Sequence, residues 1–369
     1  MSGAAPVVTD DRRFMGLALT LGRRGFGRTW PNPAVGAVIV KDGVIVGRGW
    51  TQPGGRPHAE VEALRRAGAA AHGATLYVTL EPCSHFGKTP PCADAIIAAG
   101  IARVVSAIED PNPKVAGAGH ARLRAAGIAV DIGVGADAAR RHHAGHIRRM
   151  QDGRPHVTLK LAISADGKAG GAGRRPLAIT AEPARARVHL LRGQSDAIMI
   201  GIGTALADDP MLTCRLPGMS LNSPLRIVLD AALRLPVASR LVQTARQTPV
   251  WVIAGPTAST EAEAALRAHA VEILRSAEAG GKLDLAAMLQ VLGSRGVTRL
   301  LLEGGPRLAS AFLAADLVDD AILFHAGTVV GEDGIEALDR VGAAALAKHL
   351  KRVEGELVGP DRQDIYERR

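Results

Sequence analysis

Residues 74–92, ATLYVTLEPCSHFGKTPPC, decide how the chain is read. The apolar run 74–80 has the length and composition of a buried strand, and it delivers Glu81-Pro82-Cys83 at its end. After eight intervening residues, Cys92 follows Pro90-Pro91, where a helix is expected to start. Upstream, His58-Ala59-Glu60 opens a helical pattern that runs to Ala67. A catalytic zinc takes three protein ligands and keeps a fourth position open. His58, Cys83 and Cys92 supply such a set, each at an element end where a side chain is held rigidly. Residues two apart lie on opposite sides of a regular helix. His58 is therefore expected at the first turn, leaving Glu60 to lie over a zinc-bound water as a carboxylate that is not a ligand. A thiol at a helix N-terminus meets the positive end of the dipole, which favours the thiolate that zinc requires.

Outward from this stretch, helical and strand patterns alternate, which predicts α/β architecture with largely parallel sheets. Residues 35–40 and 44–50 read as strands joined by a turn at Asp42-Gly43. Strands are also expected at 103–108 and 128–132, and helices at 11–22 and 120–126. The stretch 140–154 (RRHHAGHIRRMQDGR) is basic and polar, and a boundary is expected near 148–156, after which the pattern restarts. This predicts two domains, 1–150 and 151–369. In the second, 206–211 reads as a loop, 299–303 as a strand ending in Gly304-Gly305-Pro306, and 321–330 as a strand.

Composition narrows the function. The chain has 369 residues, 47% hydrophobic and 22% charged, as in an ordinary globular protein. No apolar run reaches the roughly 18 residues of a membrane span, and the first residues hold no signal-peptide core. Three cysteines cannot staple this length, which fits a reducing cytoplasm. The net charge is +9, carried by 37 Arg and 8 Lys. Single-strand nucleic-acid binding also wants stacking aromatics. Only 3% of residues are aromatic, so nucleic acid is not expected as a partner.

The pairing of H-x-E with P-C-x-x-C marks zinc nucleobase deaminases, and here the second half is stretched to C-x8-C. With Trp30-Pro-Asn-Pro-Ala-Val-Gly36, residues 79–92 and Asp110-Pro-Asn-Pro113, the first half closely resembles the bifunctional riboflavin-biosynthesis deaminase–reductases. Lys160-Leu-Ala-Ile-Ser-Ala-Asp-Gly167, Leu206-Ala-Asp-Asp-Pro210 and Glu303-Gly-Gly-Pro306 extend the resemblance through most of the second half. It implies a cytidine-deaminase-like three-layer αβα domain and a dihydrofolate-reductase-like α/β domain. The first would deaminate a phosphorylated diaminopyrimidine. The second would reduce its ribosyl group to ribityl with NADPH. By the same resemblance Asn32 and Lys88 would contact the pyrimidine substrate or its phosphate. Arg192, Leu212, Arg215 and Glu303 would face the reductase substrate. Ala162, Thr204, Asp208 and the run Gly305, Pro306, Arg307, Leu308, Ala309, Ser310, Ala311 would line the NADPH site.

The residues of the second half say less unaided. Gly201-Ile-Gly203 lacks the third glycine of a dinucleotide fingerprint. A strand, two glycines and a helix start at 304–306 suit a phosphate, and an ordinary tight turn has the same pattern. The chain departs from the family at Thr51, Pro176 and Ala178. A nucleic-acid deaminase with an accessory domain shares the zinc constellation, but it gives the second half no role. A non-catalytic zinc protein would have no use for Glu60. The apolar second half is compatible with a homodimer.

Overall fold

The computed structural model describes residues 7–87, 89–113, 115–174 and 177–369. The sequence-based expectations for Lys88 and Pro176 lie outside these residues. The chain divides between Gly153 and Arg154 into two compact units.

The first unit is built on a five-stranded sheet. Its strands are β1 (Gly36–Lys41), β2 (Val44–Trp50), β3 (Thr75–Val78), β4 (Arg103–Ser106) and β5 (Ala129–Ile132). The spatial order is β2-β1-β3-β4-β5, with β1 antiparallel to both neighbours and β3, β4 and β5 parallel. The β1–β2 turn places Asp42 at φ 50° and Gly43 at φ 77°, the left-handed pair that a two-residue hairpin turn needs. Helix α1 (Val7–Gly22) crosses one face so closely that a Cβ on Gly36 would stand 1.8 Å from the Ala18 carbonyl oxygen. Helix α2 (Ala59–Ala67) crosses the other face, where a Cβ on Gly49 would stand 2.1 Å from Ala59 O. Gly49 pairs with Ala37, the neighbour of Gly36, so alternation puts the two approaches on opposite faces. This is the expected three-layer αβα arrangement. Ala59, Ala63 and Ala67, spaced four apart, form the buried stripe of α2.

Helices α3 (Cys92–Ala98) and α4 (Ala118–Ala125) follow. The basic, polar stretch that leads to this division falls in two helices, α5 (Ala136–His142) and α6 (Ala144–Asp152). Their histidines face inward. His142 Nε2 lies 2.6 Å from Ala34 O, His143 Nε2 3.1 Å from Thr79 Oγ1, and His146 Nε2 2.9 Å from Asp110 Oδ1. Arg140 and Arg141 stay exposed. Imidazoles that bury and hydrogen-bond look polar in composition alone, which is why the amphipathic pattern was hidden.

The second unit carries a nine-stranded sheet. In chain order it contains β6 (His156–Ile163), α7 (Glu182–Gly193), β7 (Ala197–Gly201), α8 (Ile202–Asp208), β8 (Leu225–Leu229), β9 (Val250–Ala254), α9 (Thr260–Ala268) and β10 (Val271–Arg275). Then come α10 (Leu285–Ser294), β11 (Arg299–Leu302), α11 (Pro306–Ala314), β12 (Asp320–His325), α12 (Arg340–His349), β13 (Leu350–Val358) and β14 (Asp361–Arg368). The order β10-β9-β8-β7-β11-β6-β12 is parallel throughout, and β14 and β13 extend it antiparallel. Strands β8 and β9 bury every residue, as strands covered on both faces do.

Three expectations change here. Of the loop expected at 206–211, residues 206–208 belong to the end of helix α8 (Ile202–Asp208), and 209–211 are loop. Strand β12 stops at His325. The β13–β14 hairpin was not anticipated, because β13 buries only its end residues Leu350 and Val358 and so has no alternating pattern. Among the described residues, no helix is long and apolar enough to cross a membrane.

Candidate active sites

In the first unit, His58 is the N-cap residue of α2, with extended backbone at φ −69° and ψ 160°. Its side chain therefore leaves the helix axis while Glu60 sits inside the first turn. Cys92 is the first residue of α3 and is capped by Pro91. Cys83 lies in the loop beyond β3, where the Cys92 N–H donates to its sulfur at 3.3 Å. The ligand atoms converge. His58 Nδ1 is 3.2 Å from Cys92 Sγ and 3.7 Å from Cys83 Sγ, and all three atoms lie within 4.8 Å of one another. Tetrahedral zinc at ordinary Zn–N and Zn–S lengths holds such atoms about 3.6 Å apart, so this triad fits the ion.

The two sulfurs differ, and it is Cys83 rather than Cys92 at the helix start whose thiolate is favoured. The hydrogen bond from the Cys92 thiol, with a further one from His58, holds the Cys83 thiol down at about 4. The same bond, together with burial, pushes Cys92 up, so one sulfur is already thiolate while its neighbour keeps the proton. Glu60 is only 3% exposed, and burial pushes its carboxyl up to about 7, partly opposed by His58. A carboxyl poised there, beside the triad but outside it, suits proton transfer near neutral pH.

Glu81, two residues before Cys83, fixes the surrounding loops. Its Oε1 accepts from the N–H groups of Gly119 (2.8 Å) and His120 (3.2 Å). Its Oε2 accepts from Gly117 (2.9 Å) and Asp110 (3.1 Å). Glu81, Glu109 and His120 form a second cluster of metal-ligand type. With both Glu81 oxygens occupied by backbone donors, that carboxylate serves the fold. Asn32 is half-buried and donates to Gly55 O at 2.8 Å, so its amide nitrogen is committed and its Oδ1 remains for a ligand. Thr51, one of the departures from the family, is buried with its hydroxyl accepting from Val35 N at 3.0 Å.

In the second unit the expected residues separate into two groups. Arg192 and Glu303 meet in a bidentate pair, Nε–Oε1 2.7 Å and Nη2–Oε2 2.8 Å. Arg192 Nη1 also reaches Thr213 O at 3.4 Å. Arg192 is thus held by a carboxylate. Lys160, on β6, joins this cluster. Burial pulls its ammonium down while Glu303 holds it up. The sequence reading passed over Lys160. Its signal is a lysine alternating with buried Leu159 and Leu161, which places it on the face that carries Ala162. Thr204 and Gly305 are brought together: a Cβ on Gly305 would stand 2.9 Å from Thr204 Oγ1. Gly305 caps α11 and Pro306 starts it, so a helix N-terminus opens beside Thr204, as a cofactor phosphate needs.

The other expected residues differ in burial. Leu212 is 3% exposed and packs into the core with Ile200, Ile202 and Val228. Ala309 and Ser310 are buried, and Ser310 Oγ accepts from Asp339 N at 3.2 Å, against α12. Of the run 305–311, Gly305, Pro306, Arg307 and Leu308 form the first turn, and Ala311 lies exposed beyond it. Asp208 is exposed at the far end of α8, and Arg215 is exposed. Ala178 lines an open groove of about 480 Å³ with Ile179, Thr180, Gly327 and Thr328.

Comparison with known proteins covers both units. The cytidine and deoxycytidylate deaminase zinc-binding region matches residues 8–108, and the RibD C-terminal domain matches 155–363. Riboflavin biosynthesis protein RibD of Escherichia coli is 44% identical over 95% of this chain and 98% of its own length. The structure of Acinetobacter baumannii RibD is similar with TM-score 0.87 at 36% identity, over 99% of this chain and 100% of that one. A Thermotoga maritima structure, a diaminohydroxyphosphoribosylaminopyrimidine deaminase/5-amino-6-(5-phosphoribosylamino)uracil reductase, is similar with TM-score 0.85 at 32% identity, over 99% and 100%. A nucleic-acid deaminase would leave the second unit without a counterpart, whereas here both units match one protein from end to end. The chain belongs to the RibD family of riboflavin biosynthesis, bifunctional enzymes in which a zinc-binding deaminase unit precedes an NADPH-using reductase unit.

Proposed function

We propose that the first unit hydrolytically deaminates 2,5-diamino-6-ribosylamino-4(3H)-pyrimidinone 5′-phosphate and that the second reduces the ribosyl group of the product to ribityl with NADPH. The observation that carries the reading is the convergence of His58, Cys83 and Cys92 with buried Glu60 beside them. The printed name of the Thermotoga maritima relative supports the substrate class.

In this reading His58, Cys83 and Cys92 hold zinc. When bound, zinc supplies a Lewis-acidic centre that makes water a nucleophile near neutral pH. The Glu60 carboxylate takes the proton that water gives up and returns it to the departing amine. Water adds at the amino-bearing ring carbon, the C–N bond breaks, and ammonia leaves. The Asn32 Oδ1 accepts from the pyrimidine, and Lys88 contacts the pyrimidine or its phosphate. In the second unit Thr204, Gly305 and the first turn of α11 receive the cofactor phosphates, with Ala162 on the adjoining strand and Asp208 at the far end of α8. Glu303 orients Arg192 and Lys160 toward the sugar, with Arg215 as the exposed cation. The reaction mainly requires that the nicotinamide be positioned against the sugar carbon. The enzyme works in the cytoplasm, as a homodimer, on a small molecule. Three free cysteines, two of them needed as zinc ligands, suit a reducing compartment.

Pure protein incubated with the diaminopyrimidine phosphate tests this directly. Ammonia should form without NADPH, and cofactor oxidation should follow only after deamination. If neither ammonia nor oxidised cofactor forms, the reading is wrong.

A further inference from the structure

Arg56 stands two residues ahead of His58 and is half-buried. Its neighbour Gly55 accepts the Asn32 amide at 2.8 Å, so Arg56 lies between the contacts of Asn32 and the first zinc ligand. Its Nη1 donates to Thr89 Oγ1, in the loop between the two cysteines. Its Nη2 lies 3.3 Å from the place a Cβ on Gly87 would occupy, so a glycine leaves the guanidinium room there. The side chain thus links its own segment before His58 to Gly87 and Thr89, between the two cysteines.

Some arginines of this unit are matched by carboxylates. Arg122 is paired with Asp94 at 2.5 Å, and Arg65 with Glu62 at 3.0 Å. Arg103 is held by Asp11 at 2.9 Å and by Asp131 at 2.7 Å. Among the described residues, no carboxylate lies within ion-pair distance of Arg56. A guanidinium has five N–H donors in a rigid fork, and one hydroxyl uses only one of them. The centre it borders is not positive: zinc with two thiolates and a neutral imidazole sums to zero, and ionised Glu60 adds a negative charge. A phosphate approaching such a centre is repelled unless a cation meets it.

We infer that Arg56 is an anion seat at the edge of the deaminase site and binds the 5′-phosphate of the pyrimidine substrate through its unspent guanidinium edge. This rests on the substrate class proposed above. The competing role is a tie that merely holds the two segments together. A tie serves every substrate equally, whereas a phosphate seat serves only the phosphorylated one.

The test compares deamination of the 5′-phosphate with that of its 5′-hydroxyl counterpart, using zinc-loaded wild type, Arg56→Gln and Arg56→Lys. Arg56→Gln should raise KM for the phosphate by about 10–100-fold, the usual worth of a charge-assisted hydrogen-bond pair. It should leave kcat, zinc content and turnover of the hydroxyl compound near wild type. Arg56→Lys should recover part of the loss, because it restores charge without the fork. A second readout is calorimetric titration with ribose 5-phosphate, in which Arg56→Gln should lose one binding site. Equal loss on both substrates makes Arg56 a tie and overturns the inference, as does no loss on either. If wild type releases no ammonia from either compound, the proposed function fails. The calorimetry then decides alone: a lost site upholds the anion seat, and identical isotherms reject it.

Discussion

The two sites differ in what builds them. In the first unit, two helix starts and a loop bring three reactive side chains around one point, and a fourth stands beside them. In the second, a tight turn and a helix start form the cradle proposed for the cofactor, while Arg192 and Glu303 pair with each other. A metal site is made of side chains, so its members carry their chemistry in their identity. A dinucleotide site is made largely of backbone and shape, and any residue that permits the turn can occupy it.

The largest effect that should separate the sites is Glu60→Gln. The change keeps size and hydrogen bonding but removes the proton acceptor. Deamination should fall by about 10²–10⁴-fold, the usual contribution of a positioned acid–base group. Zinc content by metal analysis should not change, and NADPH oxidation on pre-deaminated substrate should match wild type. Loss of the reductase step as well would mean that the two sites are not independent, and the contrast between them would fail.

Glu303→Gln should act on the other side of the comparison. Glu303 and Arg192 have side chains 9% and 13% exposed, and they share two hydrogen bonds. Removing one partner of a buried pair costs about 3–5 kcal/mol, because the other charge is left unmatched. The melting of the second unit should therefore drop, and ammonia release and zinc retention should persist. Burial alone would push the Glu303 carboxyl up, but Arg192 and then Lys160 outweigh it and hold it below the ordinary range. A depressed folded-state value gives stability that is complete above the unfolded value of about 4.3 and is lost as pH falls through the folded one. The gap in stability between wild type and Glu303→Gln should close on acidification. A gap that stays constant down to strongly acidic pH would show that the ion pair is not its source.

These contrasts track what the sequence could reveal. His58, Cys83 and Cys92 were legible because zinc accepts few residue types, and their spacing put them at element ends. The role of Glu81 was not. Its four partners are backbone N–H groups, which every residue except proline carries, so nothing in the sequence marks them. Helices α5 and α6 were hidden because His142, His143 and His146 turn inward while the arginines that dominate the composition turn out. Leu212 and Ser310 were named by family position, and position does not say which way a side chain points. The alternation around β6 could have exposed Lys160, since burying a lysine between Leu159 and Leu161 costs free energy that something must offset.

Ser310 gives the smallest and sharpest of these effects. Its hydroxyl accepts from Asp339 N, and Asp339 Oδ1 in turn caps α12 through Gly342 N at 2.7 Å. A Cβ on Gly342 would stand 2.5 Å from Ser310 Oγ, so α12 packs directly against this side of α11. A residue so enclosed supports the helix whose first turn is proposed to hold the cofactor. Ser310→Ala removes one hydrogen bond whose donor belongs to an exposed residue that water can reach, so the loss should be about 1 kcal/mol. NADPH affinity, measured by fluorescence titration, should stay at the wild-type value. Thr204, whose hydroxyl stands beside Gly305 at the helix start, is the contrasting position, and Thr204→Val should weaken NADPH with little change in melting. If the two outcomes are exchanged, the cradle lies along the side of α11 and not at its N-terminus, and the division between a site of side chains and a site of backbone no longer describes this protein.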